Sequence, residues 1–162
     1  MLRANKISQM RQQMRNQFLG TLIFLIVQFL LGMSVNLFVT IPTNHPGANP
    51  PEYFGGVVQS VTWAILHGHV LLQVHAVLGL LLVLNALGLL IAAIKTRAGD
   101  LIWVASLGLF GVLAAGFNGG SFLNYNQDFS SMIMATFFAW AVIAYAVGIF
   151  LTGRPGAAPA SA

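Results

Sequence analysis

Four long runs without a single charged residue constrain this chain more than any other feature. They cover residues 18–41, 57–94, 101–117 and 130–151. A hydrocarbon core of ~30 Å is crossed by ~20 helical residues. Strands of a membrane barrel would alternate polar and apolar over ~10 residues, and these runs are continuous. Each run therefore predicts a membrane-spanning helix. Composition agrees: 57% of residues are hydrophobic and 6% are charged, against about 25% charged in a soluble domain. Three acidic and seven basic side chains cannot cover a water-facing surface, and a disordered chain would need low hydrophobicity. The fold class expected is an all-α integral membrane protein, a four-transmembrane-helix bundle.

The charges give an orientation. Arg3, Lys6, Arg11 and Arg15 precede the first run, Lys95 and Arg97 separate the second from the third, and Arg154 follows the fourth. The other two connections hold no basic residue, only Glu52 and Asp128. The positive-inside rule places both termini in the cytoplasm and the protein in a plasma (inner) membrane. The basic balance thus reads as topology, and nucleic acid is not an expected partner. Ile7, Met10 and Met14 recur at helical spacing among basic residues, which predicts a short N-terminal amphipathic helix on the inner leaflet. Residues 1–152 are read as one membrane domain, and the Pro/Ala/Gly-rich residues 153–162 as a disordered cytoplasmic tail.

The second run is too long. Its 38 residues would reach ~57 Å as one helix. Either it projects beyond the membrane or it bends, with Gly68 a candidate position, and residues 57–66 are expected to form an outer interfacial segment that caps the bundle, with Trp63 in the aromatic belt. Gly116, Gly119 and Gly120 weaken a helix, so an irregular stretch is expected there, followed by a connection folded back over the bundle. Gly111, Ala115 and Gly119, Gly88 and Ala92, and Ala144 and Gly148 form small-residue repeats suited to close helix packing, within the bundle or across a homo-oligomer.

Counting ~20 residues from each inner end brings Asn36, His75, Asn118 and Ser131 to one depth near the outer boundary. His67, His69 and His75 are the ionisable side chains of the apolar runs, and such residues are functional candidates. A histidine there can equally serve only to bond a neighbouring helix. On one helix His67 and His69 point ~200° apart, and His67 and His75 lie ~12 Å apart along the axis. No i, i+4 pair for one metal ion results. Haem b needs a ligand on each face. Met33 or Met132 opposite His75, His45 from the first outer loop, or a second copy's histidine would supply the other. Thioether and imidazole together would also suit copper at His75, His67 and His69. A quinone would use His75, Gln73, Asn36 and Asn118 as hydrogen-bonding groups in an apolar slot. Gln28 and Asn85 lie deeper and are expected to bond between helices.

No cysteine is present, so thiolate metal sites and cysteine nucleophiles are excluded. No hydrolase triad, phosphate loop or nucleotide fingerprint occurs, and no carboxylate lies in any run. The function expected is a small cofactor- or ligand-binding membrane protein of redox type, taking haem b or quinone at its outer face. The alternative is a structural or assembly subunit of a larger membrane complex. Membrane lipid, other membrane subunits or a homo-oligomer are the expected partners.

Overall fold

The computed structural model describes residues 2–153, without the side chains of residues 2–4, 6 and 7. Lys6, Ile7 and the tail therefore lie outside what is described. Five helices and no strand occur among the described residues: α1 (Leu2–Phe38), α2 (Tyr53–His67), α3 (Val70–Thr96), α4 (Gly99–Tyr125) and α5 (Asp128–Gly153). All but α2 are long and apolar enough to cross a membrane. The chain is a multi-pass helical bundle.

The overlong second run resolves into α2 and α3, broken at Gly68. Gly68 is extended (φ −69°, ψ 170°), and a Cβ there would lie 2.5 Å from the Ala64 carbonyl oxygen. His69 then caps α3, its Nδ1 accepting from the Leu71 N–H at 3.3 Å. Helix α2 starts four residues earlier than the expected outer segment. Glu52 supplies the reason, since its carboxylate accepts from the Phe54 and Gly55 N–H groups at 2.7 and 2.6 Å and so satisfies the first turn.

Helix α1 runs unbroken through its basic part. No break sets off an amphipathic segment, and Met14 is buried in the bundle core with Phe18. At 37 residues it is ~55 Å long, well beyond the ~30 Å of hydrocarbon.

Helix α4 overturns the expected irregular stretch: it stays helical through residues 116–120. Gly119 and Gly120 serve close packing instead. A Cβ at Gly120 would come 2.8 Å from Val57 of α2, and one at Gly119 would come 3.3 Å from the Met134 sulfur of α5. The expected fold-back is absent too. Asn126 in the left-handed region (φ 48°) caps α4, and α5 begins at Asp128. Asparagine tolerates that conformation better than most residues.

Helices α1, α3, α4 and α5 form a ring in which α1 and α4 each touch α3 and α5, while α2 lies across α3 and α4 at one end. Lipid tails are as apolar as leucine, so packing and interhelical hydrogen bonds must hold such a ring. Small residues admit rings: Phe18 lies over Gly148, Tyr145 over Gly108, and Ala141 against Gly111. Phe29 stacks on Phe138 with centroids 4.7 Å apart. Large apolar side chains such as Leu84, Ile143 and Phe150 face outward.

Candidate functional site

The α1–α3 seam carries the polar side chains of the membrane interior. Asn85 donates to Thr21 Oγ1 at 2.8 Å, and Gln28 Nε2 donates to the His75 carbonyl oxygen at 2.9 Å. Both bonds cross between helices, as their depth predicts. The His75 imidazole lies against α1 at Gly32. A Cβ on Gly32 would stand 2.9 Å from Cε1 and 3.5 Å from each ring nitrogen. Only a glycine leaves room for the ring. His75 Nδ1 and Gln28 Oε1 are both buried without a hydrogen-bond partner. Buried polar atoms are nearly always satisfied, so two orphans in one seam mark it as a place for a further polar group.

The other expected site residues differ in their surroundings. Asn36 and Met33 are exposed on α1, and Met132 is exposed on α5. Asn118 turns back to its own helix, donating to the Ala114 carbonyl at 2.9 Å. Gln73 is half-buried in the first turn of α3. His67 and His69 are exposed at the α2–α3 break. No three His, Asp or Glu side chains among the described residues are grouped to hold a metal ion, so His67, His69 and His75 form no such cluster. The Cε1 corner of the His75 ring faces Gly32 of α1.

His45 occupies a second polar cluster. It is buried, stacks on Trp63 with centroids 4.3 Å apart, and directs its ring nitrogens at the carbonyl oxygens of Pro46 (2.9 Å) and Leu123 (3.1 Å). A neutral imidazole carries one N–H, so His45 donates to one of these two carbonyls. Beside it, Asn124 and Ser60 are almost fully buried. The Asn124 amide nitrogen meets Ser60 Oγ at 2.7 Å and the Gly47 and Gly56 carbonyls at 3.2 Å. Asn124 also accepts from the Asn49 N–H through its backbone carbonyl, at 2.8 Å. Together these bonds fasten residues 45–49 over α2 and α4. The sequence does not mark out Ser60 or Asn124. Nothing local in the sequence signals that they pair across 64 positions.

No family model, curated protein or solved structure matches this chain.

Proposed function

We propose that the chain is a small redox-type membrane protein whose α1–α3 seam binds the headgroup of a quinone, with His75 and Gln28 as the hydrogen-bonding residues. The observation behind this reading is the pair of buried, unpartnered atoms, His75 Nδ1 and Gln28 Oε1. An imidazole nitrogen donates in one tautomer and accepts in the other, while an amide oxygen only accepts. Such a pair suits an oxygen that is a carbonyl in the oxidised ligand and a hydroxyl in the reduced one. Val27 and Val74, next to these residues in sequence, are exposed on the outside of the bundle. A lipid-borne headgroup would reach the seam laterally. The basic end of the bundle is assigned to the cytoplasmic side of a plasma membrane by the positive-inside rule, which puts His75 nearer the outer face.

Quinone that co-purifies with the protein, quantified after solvent extraction, tests the reading. His75→Ala and Gln28→Leu should each reduce it about 5- to 30-fold, the effect of one or two kcal/mol of lost hydrogen bonding. Wild-type quinone content in both folded variants would defeat the proposal and favour the structural-subunit reading. A Soret band in wild type that vanishes in His75→Ala would assign haem instead.

A further inference from the structure

Both nitrogens of the buried His45 ring face backbone carbonyl oxygens, Nδ1 at 2.9 Å from Pro46 and Nε2 at 3.1 Å from Leu123. A neutral imidazole has one N–H and one lone pair. In either tautomer, one nitrogen points its lone pair at an oxygen that also offers lone pairs. A protonated ring donates at both nitrogens and satisfies both oxygens. Ser60 Oγ does not relieve the Pro46 oxygen, since it stands 3.5 Å away and has its short contact with Asn124 at 2.7 Å.

Two further features favour the charged ring. Leu123 lies in the last turn of α4, where carbonyls lack intrahelical donors and the helix dipole turns its negative end outward. The Trp63 indole stacks on the imidazole at an interplanar angle of 14°, and an indole face attracts a cation. No charged side chain pairs with His45 among the described residues. At the start of α2 the Glu52 carboxylate holds the Phe54 and Gly55 N–H groups, and Tyr53 bonds Ser121. His67, His69, Tyr125 and Asp128 are exposed at the ends of α2, α3, α4 and α5. Two carbonyls, a helix end and an indole therefore stand where a carboxylate would otherwise be needed.

We infer that His45 is a proton-operated clamp on the cap. The imidazolium fastens residues 39–52 to the last turn of α4, and the neutral ring gives up one of its two anchors. The Asn49 N–H, which donates to the Asn124 carbonyl at 2.8 Å, grips the same turn and opens with it. The cap gains a bond when the ring takes up a proton, so it tightens as pH falls and loosens as pH rises, across the range of about pH 5 to 8 in which imidazoles titrate. The clamp operates whatever the α1–α3 seam binds.

The chain has no cysteine, so a spin label on Asn44→Cys, an exposed position beside His45, reports loop mobility alone. In the full chain in detergent, the ratio of mobile to immobile label should rise about tenfold from about pH 5 to about pH 8, the worth of one charge-assisted hydrogen bond. His45→Gln, which keeps an N–H donor without a titrating group, should abolish that rise. Imidazole ¹⁵N spectra of the wild type need no variant. At the acid end, a ring other than those of the exposed His67 and His69 should carry two N–H groups in slow exchange with water. Equal mobility at both pH values would overturn the inference, as would a loop that tightens in alkali. A rise that persists in folded His45→Gln would do so too, and would move the titration to Glu52, His67 or His69. A single slowly exchanging N–H on the buried ring at the acid end would likewise defeat it.

Discussion

Asn124 and Ser60 show what one buried amide does in this molecule. Each lies within the cap where α2 crosses α4, and the Asn124 amide nitrogen reaches Ser60 Oγ and the backbone carbonyls of Gly47 and Gly56. Gly47 has φ +89°, and a Cβ there would collide with Ser60 Oγ. Left-handed backbone and close approach both demand glycine at that position. Removing one partner leaves the other buried and unpaired, which costs about 1–3 kcal/mol. Asn124→Ala and Ser60→Ala are each expected to lower unfolding free energy in detergent by that amount. The double variant should cost less than the sum, because the two share one bond. Additive losses in the double-mutant cycle would show that the pair does not act as a unit.

At the scale of elements, glycine placement decides which helices meet closely. Helix α4 keeps its hydrogen-bond ladder through three glycines in five residues because the bilayer offers the backbone no other partners. The propensity cost of ~1 kcal/mol per glycine is small beside an unsatisfied backbone in hydrocarbon. The same helix admits Tyr145 of α5 at Gly108, where an added Cβ would overlap the phenol ring. Gly108→Ala should therefore destabilise by about 1–3 kcal/mol through overpacking. Tyr145→Val removes the ring atoms that meet the new methyl. Thermal unfolding of Gly108→Ala/Tyr145→Val should show less loss than the two single variants added together. A double variant as unstable as the sum would mean the ring does not set the α4–α5 distance.

For the whole molecule, the connections sort into two ends. The loop of residues 39–52, helix α2 and the α4–α5 turn share one end, joined by the Asn49–Asn124 backbone bond and the His45–Leu123 contact. The α3–α4 turn lies at the other, where Arg97 is left-handed and Thr96 caps it. The basic residues Arg11, Arg15, Lys95 and Arg97 all belong to this second end. The positive-inside rule then gives an expected outcome. Cysteines at Thr43 and Gln127 should react with an impermeant thiol reagent in intact cells. A cysteine at Gly99, which is exposed and has open space around it, should react only after lysis. Labelling of Gly99→Cys in intact cells would invert the assignment.

The number of spans and the interhelical roles of Gln28 and Asn85 were legible in the sequence, with Gly68 one candidate for a break in the overlong run. These follow from local rules: hydrocarbon forces each segment to satisfy its own backbone, so apolar length translates directly into helices. A polar side chain deep in such a helix must also seek a neighbour. Tertiary structure decided which neighbours those are. Equal depth did not decide which way Asn36, His75 and Asn118 turn, because rotation about each helix axis is set by packing and not by count. Asn36 faces out, Asn118 bonds its own helix, and His75 turns to Gly32. The glycines of α4 read as helix breakers until Val57 and Met134 occupied the space they leave. His45 stood in the sequence as a loop histidine open to a cofactor. Only the folded cap, with Trp63 beneath its ring and backbone carbonyls at both nitrogens, makes it part of the scaffold.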